Sequence, residues 1–193
     1  MNTFGHFSAL LPGASTSAES QWPTSSRSSR SVEPFTNRHR SNIGTAFYDS
    51  IFYSVAEKLA NENGRRALLI FSDGEDNSSS HDMMTAIETA QSANVILFPI
   101  RYTEKEHGKL TARNKYGISV MDRIAKETGG TAFDAEDVDP HTYFHQIGEE
   151  LRNSYDLAYY PSNPVKDDSF RKIVIRPKQD GLRVRSKTGY FSR

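Results

Sequence analysis

The stretch that most constrains this chain is ALLIFSDGED, residues 67–76. Residues 67–71 are apolar without a break and run directly into Ser72, Asp73, Gly74, Glu75 and Asp76. A continuous apolar run predicts a strand covered on both faces, as in a parallel sheet with helices on each side. The polar cluster then falls just past the strand's carboxyl end, the edge at which open α/β sheets bind ligands. The carboxylates of Asp73, Glu75 and Asp76 need a counter-ion or water, and a hard, oxygen-seeking cation such as Mg²⁺ is the natural candidate. The competing reading is an acidic turn that caps the next helix.

The flanking residues alternate helix and strand. Upstream, apolar side chains at 47, 48, 51, 52, 55, 56 and 59 have helical spacing, with Asn42 or Thr45 as cap and Gly64 as the stop. Downstream, Met83, Met84, Ile87 and Ala90 mark a second helix closed by Asn94. Residues 95–100, VILFPI, form a second buried strand, with Pro99 better placed at its end. Residues 101–115 are polar and predict a surface loop. A third helix over 116–128 carries Ile118, Met121, Ile124 and Ala125 and stops at Gly129 and Gly130. A short strand at 131–133 follows, then a helix opened by Asp139 and Pro140 and running to about Asn153, with Tyr143, Phe144, Ile147 and Leu151 inward. From 154 the segments YDLAYYP, FRKIVIRP and LRVRSKTGYF predict an antiparallel meander. The fold class is therefore α/β: a partial doubly wound, Rossmann-like sandwich with a mostly parallel sheet, plus a carboxyl-terminal antiparallel β extension. Residues 1–40, rich in serine and without apolar period, are expected to be a disordered leader ahead of an α/β domain at 41–153 and the β extension at 154–193.

Composition removes several function classes. Lys plus Arg and Asp plus Glu balance at 24 each, which gives no electrostatic footprint for nucleic acid. The absence of cysteine excludes disulfides, thiolate metal sites and cysteine nucleophiles. No apolar stretch approaches the roughly 18 residues of a membrane span. The amino terminus lacks the basic n-region of a signal peptide, and the compartment stays open.

Thr45 follows Asn42, Ile43 and Gly44 and opens a helix, so its hydroxyl is either a plain cap or an oxygen offered to a cation. Asp73 lies one βα step later, at the same predicted sheet edge. The succession GTAFYDSI, GRRALLIFSDGEDNSS, VILFPI, TGGTAF, LRNSYDLAYYPSNP, FRKIVIRP and GLRVRSKTGYF resembles von Willebrand factor type A domains. It resembles more closely an acidobacterial group of such domains whose strands end in a KxGY motif, here Lys187, Thr188, Gly189 and Tyr190. The resemblance covers about residues 43–191. It implies a doubly wound sandwich that binds Mg²⁺ (or Mn²⁺) at a metal ion-dependent adhesion site built by three loops. Thr45 matches the second loop and Asp73 the third, and an acidic side chain of a partner protein completes the coordination. Members of this group are often exported.

The chain departs from that pattern upstream. No Asp-x-Ser-x-Ser precedes Thr45, and the serines of residues 25–31 come with arginines that would repel a cation. The family's first strand, first helix and next two strands have no counterpart, so the chain resembles the carboxyl-terminal half of such a domain. Two consequences are expected: metal binding that is weak or absent, and an exposed edge on the strand of residues 67–71 that favours self-association.

The favoured expectation is a non-enzymatic protein-binding module with a residual metal site at Thr45 and Asp73. The alternatives are a Mg²⁺-dependent phosphoryl-transfer or hydrolytic enzyme using Asp73, Glu75 and Asp76, or a nonfunctional fragment. His141, His145 and Glu149 fall four apart on a predicted helix, a spacing zinc can use, but Thr142 breaks the His-Glu-x-x-His pattern. No Gly-x-Ser-x-Gly marks a hydrolase nucleophile.

Overall fold

The computed structural model describes the backbone of residues 5–10, and residues 44–102 and 109–193. Helix α1 (Phe47–Tyr53) continues as a π-helical stretch, Ser54–Leu59, and leads to strand β2 (Arg66–Ser72). Helix α2 (Met83–Ser92), strand β3 (Val95–Arg101), helix α3 (Ala112–Thr128), strand β4 (Phe133–Asp134) and helix α4 (Pro140–Arg152) follow. β2, β3 and β4 form a parallel sheet in that order. The molecule is thus a mixed α/β fold, a partial Rossmann-like sheet flanked by helices, with small antiparallel sheets added.

Strand β3 explains why both faces are covered. Val95 and Leu97 point into one core with Ile51 and Val55, Ile87 of α2, and Met121 and Ile124 of α3. Ile96, Phe98 and Ile100 point into a second core with Phe133 and with Tyr143 and Ile147 of α4. Residues 95–100 are all buried, as a strand central to the sheet requires. Pro99 lies inside β3 rather than at its end, because β4 pairs only from Ile100 onward. The Arg101 carbonyl accepts from Ala135 on the β4 side, and alternation puts Pro99 on that same side, so its missing N–H deserts no ladder partner.

Several boundaries differ from the sequence reading. The first helix stops near Ala60, not at Gly64, because Arg66 Nη1 donates to the Ala60 carbonyl at 2.8 Å and turns the chain back. α3 starts at Ala112, four residues early, since Thr111 and Asn114 form a reciprocal capping box inside what the sequence presents as loop. Phe144 and Met84 are exposed rather than inward. Residues 103–108 lie outside the described residues.

The carboxyl-terminal strands do not form a simple meander. β5 (Ser154–Tyr159) and β7 (Arg185–Ser186) both pair with β1 (Gly5–Leu10), while β6 (Phe170–Lys172) pairs with β8 (Gly189–Phe191). A strand at residues 5–10 lies within the segment expected to be a disordered leader; residues 1–4 and 11–43 lie outside the described residues.

The KxGY segment is bound to the α/β core. Lys187 is 8% exposed, and its Nζ donates to the Gln91 carbonyl at 2.8 Å and to Asn94 Oδ1 at 2.6 Å. Thr188 N–H donates to the Glu127 carbonyl at 3.1 Å. Gly129 takes the left-handed conformation, φ 88°, where a side chain would strike the Ser186–Lys187 backbone. Burial pushes the Lys187 ammonium down to about 8. The unfolded chain therefore holds the Lys187 proton between pH 8 and its ordinary 10.5, and stability rises with pH across that window. In chemical denaturation, the parent is expected to gain about 3 kcal/mol relative to Lys187→Met between those pH values. Groups common to both proteins cancel in the difference.

Candidate functional site

The acidic loop at the carboxyl end of β2 is held by its own polar side chains. Ser72 Oγ accepts the Gly74 N–H at 3.1 Å, and Asp73 Oδ1 accepts the Glu75 N–H at 3.0 Å. Gly74 turns with φ 79°, a conformation that favours glycine. A Cβ there would lie 2.5 Å from the Gly117 carbonyl oxygen, and a Cβ on Gly117 would overlap the Asp73 carbonyl. The two glycines thus let the loop touch the backbone of α3. Arg113, also from α3, pairs with Glu75 at 2.5 Å.

Asp76 is spent on helix α1. No side chain of the α1 N-cap, Ala46, caps that helix, which sets aside the reading of Thr45 as its cap. Asn42 lies outside the described residues. Instead Asp76 Oδ2 accepts the Tyr48 N–H at 3.1 Å, while the Ser79 N–H reaches Oδ1 at 3.2 Å and the Ser79 hydroxyl reaches Oδ2. Asp49 answers from α1: its carboxylate takes the Ser80 and His81 N–H groups, each at 2.9 Å, and His81 Nδ1 at 2.7 Å. The His81 ring stacks on Phe52 with centroids 3.8 Å apart. Burial alone would raise the Asp76 carboxyl, but the Ser79 and α1 hydrogen bonds outweigh it and hold the group below its usual range. Backbone N–H groups of Ser80 and His81 lower Asp49 likewise.

Thr45 is held on the loop that follows Asp73. Thr45 is exposed, its N–H donates to Asn77 Oδ1 at 2.7 Å, and its carbonyl accepts the Asn77 N–H at 3.1 Å. Asn77 therefore docks the Thr45 loop on the acidic loop, with Gly44 packed so closely that a Cβ would overlap the Asn77 side chain. Among the described residues, no three of His, Cys, Asp and Glu come together to hold a metal ion. A cation held at Thr45 and Asp73 would need further oxygens from water or another molecule. The histidine stripe does not assemble a zinc site either. His141 and His145 are exposed, and Glu149 pairs with Arg152 at 2.6 Å and Asn153 at 3.2 Å.

The sequence reading missed Asp49, Asn77, Arg113 and Gly117. Gly117 carried a signal, because a glycine inside a helix costs stability unless packing demands it. The other three show nothing in one dimension. No protein-family model, curated protein or solved structure matches this chain.

Two outcomes follow from this geometry. Gly117→Ala is expected to cost about 1–3 kcal/mol by overpacking, read as a lower urea midpoint at unchanged slope. Asp76→Asn is expected to flatten the acid limb of the thermal melting curve. The folded-state value of Asp76 is depressed, so its contribution is full above about pH 4 and is lost as pH falls through that lower value.

Proposed function

We propose that this chain is a non-enzymatic, von Willebrand factor A-like module that binds another protein at the free edge of β2 and the acidic loop beyond it. The observation that carries this reading is the state of β2. Among the described residues it pairs only with β3, although seven residues long, and Phe71 at its carboxyl end is 60% exposed. Its ring lies 6.4 Å from that of Phe144, itself 47% exposed. Unpaired ladder groups beside an exposed aromatic pair suit an added strand, which supplies main-chain hydrogen bonds and apolar contact together. A second copy of the chain is one source of that strand.

The binding reading is favoured over the phosphoryl-transfer one by how the carboxylates are used. Asp76 is committed to α1 and Ser79, Glu75 to Arg113, and one oxygen of Asp73 to its own turn. That leaves too little for a metal-assisted reaction centre. A divalent ion enters this proposal only as a shared one, with Thr45 and Asp73 on this side and an acidic side chain of the partner on the other.

Sedimentation over a range of concentrations tests the edge. The parent is expected to associate and Phe71→Lys to remain monomeric; identical behaviour of the two counts against β2 as the interface. Thermal unfolding in EDTA and in millimolar Mg²⁺ or Mn²⁺ tests the ion. A weak site gives the parent no more than about 1 kcal/mol at a few times Kd and nothing in Asp73→Ala. An equal response of both proteins would remove the metal and leave the edge.

A further inference from the structure

A cavity of about 350 Å³ lies far from the acidic loop in sequence, under the connection from β5 to β6. Its walls include Pro161, Pro164, Val165, Ile173 and Phe191, and Lys187 lines it from the core side. The volume falls at the small end of the range for ligand pockets, and the lining divides about evenly between apolar and polar side chains, with Lys166, Arg171, Lys187 and Arg193 among the polar ones.

The charges around the cavity are unevenly neutralised. Arg171 is committed to the carbonyls of Asn163 and Val165 and lies 3.7 Å from Asp167. Arg193 lies 3.6 Å from Glu88 and 3.8 Å from Asp168. Lys166 is exposed to water. Lys187 differs from all three. It is buried, and its two hydrogen-bond acceptors, the Gln91 carbonyl and Asn94 Oδ1, are both neutral. The Tyr190 ring, 5.9 Å from Nζ, adds only a weak cation–π contact. An ammonium carries three donors, so one remains beyond these two acceptors. A buried cation without a counter-charge is costly, and a ligand that brings the charge relieves the cost.

We propose that this cavity binds a small organic carboxylate, its anionic end on the Lys187 ammonium and its apolar body against Pro161, Pro164, Val165 and Phe191. Among the described residues that line the cavity, Lys187 is the buried cation without an opposing charge, and that single buried charge with one remaining donor matches a monoanion. A phosphate, with more charge and more acceptors, would need further donors, and those of Arg171 are given to the Asn163 and Val165 carbonyls while Arg193 sits beside Glu88 and Asp168. The lowered proton affinity of Lys187 agrees with this geometry, since desolvation with no opposing charge is its cause. This site is independent of the β2 edge and of any shared metal.

The test is calorimetric titration of the full chain with sodium benzoate, with benzyl alcohol as the neutral match and inorganic phosphate as the non-organic anion. Saturable benzoate binding at least tenfold tighter than that of benzyl alcohol is expected, and lost in Lys187→Met. Val165→Trp, which fills the cavity from its exposed wall and leaves Lys187 intact, is expected to abolish binding too. It decides the matter where Lys187→Met fails to fold. Benzoate binding no tighter than benzyl alcohol, binding unchanged in Val165→Trp, or tighter binding of phosphate would each overturn the proposal.

Discussion

Asp76 reaches from the loop after β2 to the first turn of α1, and Asp49 reaches from α1 back to the same loop. A helix start leaves backbone N–H groups without partners, and so does a loop that never enters a ladder. Here each segment supplies the acceptor the other lacks. The exchange fixes where α1 begins relative to the sheet, and Asn77 then draws the residues before α1 onto the loop at Thr45. The acidic cluster is therefore first of all a fastening. Whatever it offers to another molecule is limited to the atoms the fastening leaves over, chiefly on Asp73.

The two long strands of the parallel sheet have similar composition and different fates. β3 is buried at every position from Val95 to Ile100, whereas β2 fully buries only Ile70 and exposes Phe71. The cause is position. Among the described residues β3 has a strand on either side and helices on both faces, whereas β2 has one neighbour. Leu68 packs beside the core of α1, α2 and α3, and Leu69 beside that of α4, yet both stay partly open. A run such as ALLIF pays for that exposure in hydration, and covering it is the free-energy source on which a binding function at this edge would draw.

The apolar periods made the helices and the parallel strands legible, because burial against a sheet imposes a spacing that one dimension records. The Gly129 stop and the Asp139–Pro140 start were equally legible, since both depend on local backbone conformation. What the sequence hid is long-range. The Thr111 cap sits in a polar stretch with the look of a loop. The partner of β5 comes from residues 5–10, more than a hundred positions away, inside a stretch whose composition argues for disorder. At the candidate site, Thr45 and Asp73 were singled out by pattern and resemblance, whereas Asp49, Asn77 and Arg113 act across chain separations that no spacing rule spans. Asp76 was visible as a carboxylate but its bond to α1 was not, because free and hydrogen-bonded carboxylates are spelled alike.

The same blindness applies to Lys187. In the sequence it is one lysine in a basic strand, with no mark of burial. Folding places it beneath Gly129, whose left-handed turn makes room for the Ser186–Lys187 backbone, and between the end of α2 and the start of β3. Asn94 serves twice there: it turns the chain with φ 51° and its side chain receives the ammonium. A methionine would fill that volume without the desolvation cost, so packing alone does not account for a cation at this position. The charge makes sense if it answers an acceptor, and the neutral oxygens of Gln91 and Asn94 answer only part of it. The remaining donor and the adjoining cavity are two observations that one ligand would explain together.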